Sequence, residues 1–174
     1  MKVLAFAASN SSTSINRQLV RYAASRLSGV TVELLDINDY EMPIYSSDRE
    51  SAGGIPQLAH DFKRKVAHAD LVIISFAEHN GSYTAAYKNL FDWCSRMEGK
   101  VYEGKRMLLL ATSPGASGAQ NVLSTATTSM PHFGGEVLGS LSIPSFYDHF
   151  DVEKGVLREG EWDVALRKLL SLVG

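Results

Sequence analysis

Apolar blocks and helically spaced apolar residues alternate along this chain. Val3 to Ala8 (VLAFAA) is a continuous apolar run, too short for a helix, and so predicts a buried strand. Leu19, Val20, Ala23, Ala24 and Leu27 then recur at helical spacing, interleaved with Arg17, Arg21 and Arg26. TVELL (31–35) predicts a second strand. Leu58, Phe62 and Val66 mark a helix starting near Pro56. DLVIIS (70–75) is the third strand, and Leu90, Phe91, Cys94 and Met97 give the apolar face of the helix after it. RMLLLAT (106–112) is a fourth strand, followed by a helix carrying Val122, Leu123, Ala126 and Met130. EVLGSLSI (136–143) is a fifth, and Trp162, Leu166, Leu169, Leu170 and Val173 close the chain on a last helix.

Strands separated by helices of this length make βαβ units, hence a doubly wound α/β domain over residues 1–174 with helices on both faces of a five-stranded parallel sheet. The stretch 36–55 has no apolar period. A loop of that length is either functional or an unrecognised element.

Composition narrows the function. Hydrophobic residues make up 45% and charged residues 21% of the 174, an ordinary globular composition. A formal net charge of −2 argues against nucleic acid as a partner. No apolar run is long enough to span a membrane, and MKVLAFAASN is too short in its apolar part for a signal peptide, so no membrane partner and a cytoplasmic location are expected. Cys94 is the single cysteine, which excludes an internal disulfide, and its place on an apolar helix face makes it a packing residue.

In open parallel sheets ligands bind at the carboxyl ends of the strands, where strand order reverses. Strand one runs into S-N-S-S-T-S-I-N (9–16) and then a helix. One N-cap needs one such residue, and this cluster far exceeds that. Free N–H groups at the helix start, with hydroxyls from Ser9 and Ser14 and the Asn16 amide, make a phosphate site without lysine. The nucleoside-triphosphate loop and the dinucleotide G-x-G-x-x-G are both absent, which favours a monophosphate. After strand three, A-E-H-N-G-S-Y (77–83) offers Glu78 and His79 as an acid–base pair or, preferred here, Asn80 and Gly81 as a turn whose main chain faces a ligand. One Glu beside one His is a poor metal site, and none is expected. After strand four, T-S-P-G-A-S-G (112–118) is either an ordinary strand-to-helix turn or a loop tight enough for a flat ligand to approach the main chain.

These loops resemble the NAD(P)H-dependent FMN reductase family, flavodoxin-like enzymes that include quinone, azo and chromate reductases. The family's G-S-x-R-x-x-S-x-N-x-x-L is matched by residues 8–19 at Ser9, Ser14, Asn16 and Leu19. Its P-E-Y-N-G-S and L-K-N-A-I-D-W are matched by A-E-H-N-G-S (77–82) and Y-K-N-L-F-D-W (87–93). The M-P-I-Y before Ser46 and S-P-G-A-S-G-A-Q (113–120) extend the likeness to nearly the whole chain.

The resemblance implies a sheet of order 2-1-3-4-5 and bound FMN. The phosphate would lie on Ser9, Ser14, Ile15 and Asn16, and the ring against Glu78, His79, Asn80 and Gly81, with Ser113, Pro114 and Gly115 on its other side. It also implies NADPH or NADH as hydride donor, no catalytic side chain, and a small-molecule acceptor such as a quinone, free flavin, azo compound or metal oxyanion. A homodimer or homotetramer is implied as well, with the aromatic surplus of Tyr83, Tyr87, Phe91 and Trp93 as its candidate face; separately, the loop 147–150, which follows the last strand, is a candidate for lying near a neighbouring subunit's pocket. Ser11 stands where the family often has Arg, which leaves the preference between NADPH and NADH open. Arg17 is the charge available to replace it, or else a solvated helix residue. His79 and Ala77 replace Tyr and Pro. The rival readings are a flavodoxin-type electron carrier, disfavoured by the modest charge and the absence of T-x-T-G-x-T, and a flavin-binding sensor that oxidises no nicotinamide.

Overall fold

Residues Lys2–Ala8 form β1, whose successive side chains go to opposite sides of a sheet. Val3 and Ala5 enter one apolar cluster, while Leu4, Phe6 and Ala8 enter another. Both faces of β1 are therefore covered, which is why its sequence is apolar throughout. The same division holds for β3 (Leu71–Phe76), with Leu71 and Ile73 on one side and Val72, Ile74 and Phe76 on the other. With β2 (Thr31–Leu35), β4 (Lys105–Thr112) and β5 (Gly135–Ile143) these strands make one parallel sheet of order β2-β1-β3-β4-β5. The computed structural model describes residues 1–173.

The helices are α1 (Ile15–Ser25), α2 (Ser47–Gly53), α3 (Gln57–His68), α4 (Ala85–Cys94), α5 (Gln120–Ser129), α6 (Phe146–His149) and α7 (Glu161–Leu170). α1, α6 and α7 cover one face, where the Tyr22 hydroxyl donates to buried Asp163 at 3.0 Å and joins α1 to α7. α3, α4 and α5 cover the other. Strands one to five fall where the hydrophobic pattern puts them, to within a residue or two at their ends.

Segment 36–55 holds two elements that the pattern does not show, a 3-10 turn over Ile37–Tyr40 and α2. Neither has an apolar stripe long enough to read. Between them, residues 41–46 form a strap tied to α4 from the side. Asn89 donates to the carbonyls of Met42 (3.0 Å) and Pro43 (3.2 Å) and accepts from the Tyr45 N–H, and Trp93 Nε1 donates to Pro43 O at 2.7 Å. Two short antiparallel ribbons, 78–83 and 150–157, also escape the sequence pattern. Among the described residues no helix is long and apolar enough to cross a membrane.

Cys94 is fully buried, its thiol 3.6 Å from the Ala59 carbonyl oxygen, and burial pushes the thiol up to about 12. A thiolate forms there only on opening. Alkylation of Cys94 is therefore expected to be at least about a thousandfold slower in buffer than in denaturant. Mass-spectrometric labelling with iodoacetamide checks this, and rapid native labelling would contradict it.

Candidate functional site

The loop from β1 to α1 closes on its own hydroxyls. Ser14 is the N-cap of α1, its Oγ accepting the Arg17 N–H at 3.2 Å. Ser9 Oγ accepts the Ser11 N–H at 3.3 Å. Both serines are buried, 8% and 7% exposed, and both hydroxyls act only as acceptors among the described residues. Each still has a proton to donate. The N–H groups of Ile15 and Asn16, in the first turn of α1, also have no acceptor among the described residues, as helix geometry requires. Two hydroxyl protons, two amides and the positive end of a helix thus converge without a lysine.

Asn16 departs from the sequence reading. Its carboxamide is 2% exposed and turned away from the cleft. Nδ2 donates to Thr112 O at 3.1 Å, while Oδ1 accepts Ser75 Oγ at 2.7 Å and Thr112 N at 3.1 Å. The side chain joins the start of α1 to the ends of β3 and β4 and is not available to an anion. Only its main-chain N–H is.

The loop after β3 is a tight ribbon in which Glu78 pairs with Tyr83 and His79 with Ser82. Asn80 (φ 52°) and Gly81 (φ 74°) form its tip, both left-handed, the conformation of a two-residue hairpin turn. His79 is exposed. The Glu78 carboxylate is turned to the protein, Oε2 accepting the Val122 N–H of α5 at 2.8 Å. No hydrogen bond joins Glu78 to His79 among the described residues, so the acid–base pairing has no geometric support.

The loop after β4 is fixed from β5. Ser145 N donates to Gly115 O at 2.9 Å, Phe146 N to Ser113 O at 3.0 Å and Ser142 Oγ to Gly118 O at 2.8 Å. Gly118 (φ +60°) has room for nothing larger, because a Cβ there would fall against Ser142 Oγ and within 3.0 Å of Pro144 N. The N–H groups of Ser113 and Gly115 have no acceptor among the described residues.

Ser9, Ser14, Ile15, Asn16, Glu78, His79, Ser113 and Pro114 line one shallow cleft of about 260 Å³, together with Ser11, Thr13, Ala77, Thr112 and Tyr147. Asn80 and Gly81 lie beyond it at the ribbon tip, and Gly115 lies just outside beside Pro114. Tyr147, 57% exposed, borders this chain's own cleft.

A larger cleft of about 690 Å³ lies beside β2 and α3, lined by residues that include Lys2, Thr31, Asp61 and Lys65. It begins at the amino end of the strands, and four of its charged side chains pair with one another as Arg64–Asp61 and Lys65–Glu33. Strand direction, not volume, therefore selects the smaller cleft.

Arg17 pairs with Asp36 at 2.7 Å. The four aromatic residues of 83–93 pack inward. Tyr87 and Trp93 are buried, with the Tyr87 and Tyr102 hydroxyls 3.0 Å apart, while Tyr83 and Phe91 are half-buried, Phe91 stacking on Tyr102. No group of three metal-ligating side chains occurs among the described residues.

The family model described as NADPH-dependent FMN reductase matches residues 1–148. The chain is 37% identical over 107 residues to a 2-hydroxy-1,4-benzoquinone reductase of a Burkholderia species, covering 60% of this chain and 56% of that protein. It is 29% identical over 125 residues to an NADPH:quinone oxidoreductase of Arabidopsis thaliana, covering 70% and 62%. It thus spans less than two thirds of either relative. Its fold is that of FerB, a flavoenzyme NAD(P)H:(acceptor) oxidoreductase from Paracoccus denitrificans, at a TM-score of 0.74 and 24% identity over 99% of this chain and 92% of that one.

Replacing Asn16 by Ala would leave the Thr112 N–H and the Ser75 hydroxyl unpaired in the interior. A loss of about 2–4 kcal/mol is expected, read as a lower urea midpoint in Trp fluorescence. An unchanged midpoint would show that water replaces the carboxamide.

Proposed function

This chain belongs to the NADPH-dependent FMN reductase family, and on that premise we propose that residues 1–174 act as one FMN-binding unit passing hydride from NADPH or NADH to a small acceptor, a quinone first among the candidates. The observation that carries this reading is the pair of buried serine hydroxyls, Ser9 and Ser14, whose protons are unspent beside the free N–H groups of Ile15 and Asn16. That donor set fits a phosphate dianion and offers a cation or an apolar ligand nothing.

Bound FMN supplies the hydride chemistry. The hydroxyls of Ser9 and Ser14 and the main-chain N–H groups of Ile15 and Asn16 would hold its phosphate by hydrogen bonds. The main-chain groups of Glu78, His79, Asn80 and Gly81 and those of Ser113, Pro114 and Gly115 would hold its ring. No side chain has to take or give a proton. Left-handed backbone at Asn80, Gly81 and Gly118 and the anchors from Ser145 and Phe146 hold these walls before any ligand arrives, which is the protein's share of the catalysis.

Selection between the two nicotinamides needs a fixed cation for the extra phosphate of NADPH. Ser11 is exposed and shares its hydroxyl with Thr13, while Arg17 is engaged with Asp36. Neither is a committed phosphate ligand, so the two donors should be used with similar efficiency. The quinone assignment draws on the two reductases above. A homodimer or homotetramer fits as well. The cleft, at about 260 Å³, is small for a flavin site and would be deepened by a second copy, and Ile44 in the strap stands 75% exposed. A free cysteine with no disulfide fits the cytoplasm.

The test is anaerobic visible absorbance of the FMN-loaded protein with NADPH and NADH added separately. Bleaching by both is expected, with kcat/KM values within about tenfold of each other, or about 1.4 kcal/mol. A bound flavin that stays yellow with both would remove the reductase reading and leave a carrier or sensor. Ser14→Ala deletes one phosphate donor and is expected to raise the FMN dissociation constant about tenfold or more, measured by fluorescence titration. An unchanged constant would move the phosphate elsewhere.

A further inference from the structure

α5 lacks a side-chain cap of its own. Its N-cap position is Ala119, left-handed at φ 60°, which has no side-chain acceptor to offer the first-turn amides. The acceptor comes from another part of the chain, as Glu78 Oε2 takes the Val122 N–H, at the third residue of α5, at 2.8 Å. A carboxylate at that position also meets the positive end of the helix. Glu78 lies directly opposite Tyr83 in the antiparallel ribbon, so both side chains leave on the same face. The Tyr83 hydroxyl lies 3.2 Å from Ser129 Oγ. Val122 and Ser129 are two helical turns apart, about 10 Å along one side of α5. One cross-strand pair thus grips α5 at two points.

The two grips differ in what they hold. Ala77, Glu78 and His79 line one side of the cleft, while Thr112, Ser113 and Pro114 line the other and lead through Gly118 into α5. The Glu78–Val122 bond is therefore a direct side-chain link between the loop after β3 and the helix continuing the loop after β4. The Tyr83–Ser129 bond joins the same ribbon to the far end of α5, away from the cleft.

We propose that Glu78 is a positioning residue whose carboxylate, acting as a hydrogen-bond acceptor for the Val122 N–H and not as an acid or base, sets the spacing of the two cleft walls and so presents their main-chain groups to a flat ligand. This rests on the FMN reading above and adds to it a role for the motif's glutamate. The role needs an acceptor and a side chain of the right length, and it needs no charge.

Three variants test it, with two readouts. Glu78→Gln keeps an amide oxygen in place, Glu78→Ala removes the acceptor, and Tyr83→Phe removes only the distal grip. FMN affinity is read by fluorescence titration, and exchange of the Val122 amide is read by hydrogen–deuterium exchange on the ligand-free protein. In Glu78→Ala the FMN dissociation constant should rise about tenfold or more and Val122 should lose protection. Glu78→Gln should stay within about threefold of the wild type in affinity and keep most of the protection. Tyr83→Phe should lose protection towards Ser129 yet keep its FMN affinity, separating cleft spacing from general loosening of the ribbon. Equal damage in Glu78→Gln and Glu78→Ala would show that ionisation matters and overturn the proposal, as would an unaltered affinity in Glu78→Ala. If the wild-type protein takes up no FMN, the functional reading fails by itself. The Val122 exchange then decides independently whether the link exists, and unchanged protection in Glu78→Ala would overturn it.

Discussion

A single buried carboxamide fixes the relation among the three loops that make the cleft. Asn16 sits in the first turn of α1, and its side chain reaches Ser75 in β3 and both main-chain groups of Thr112 at the end of β4. In water these bonds would be worth little. In an interior with no competing solvent, each unpaired alternative is costly, so the arrangement is specified more sharply than apolar packing would specify it. Every other feature of the cleft is placed relative to that point. The serines precede Asn16 by two and by seven residues, the wall after β4 begins at Thr112, and the wall after β3 begins two residues past Ser75.

Around that point, side chains and main chain divide the work. The side chains of Asn16, Glu78, Asn89 and Trp93 are spent on holding backbone: the ends of two strands, the start of α5 and the strap over 41–46. The groups lining the cleft are mostly N–H donors of the main chain and the hydroxyls of Ser9, Ser11, Thr13 and Ser14, with His79 and Tyr147 beside them. Such a surface is chemically quiet. It can orient a cofactor that brings its own reactivity, which is what membership of a flavin-dependent family asks of it. The motif Y-K-N-L-F-D-W likewise contributes through Asn89 and Trp93, one turn apart on α4 and both directed at the strap.

Much of this was legible in the sequence, for identifiable reasons. β1 and β3 are covered on both faces, so they appear as unbroken apolar runs, and α1 and α3 show clean stripes because they lie on a sheet with one side wet. The density of serine, threonine and asparagine at 9–16 marked one wall of the cleft. The direction of individual side chains was not legible. Asn16 and Glu78 stand in motifs that suggest ligand contact, yet their partners are Thr112 and Val122, residues 96 and 44 positions away. No local pattern encodes those pairings. α2, α6 and the two short ribbons were missed for a different reason, since elements of two to seven residues bury too little to impose a period.

The strand order also has a temporal side. β1 lies inside the sheet and pairs with segments that begin at residues 31 and 71, while β4 and β5 are added outward in the order of the chain. A chain emerging from the ribosome can assemble the first three strands once residue 76 is clear. The Asn16 carboxamide then has Ser75 but still lacks Thr112. Its remaining acceptor and donor reach it only when β4 is complete, and Glu78 must wait longer still for α5. The serine loop, encoded first, is therefore fixed late. A truncated product ending between β3 and β4 would carry the whole serine loop and hold it in no fixed shape.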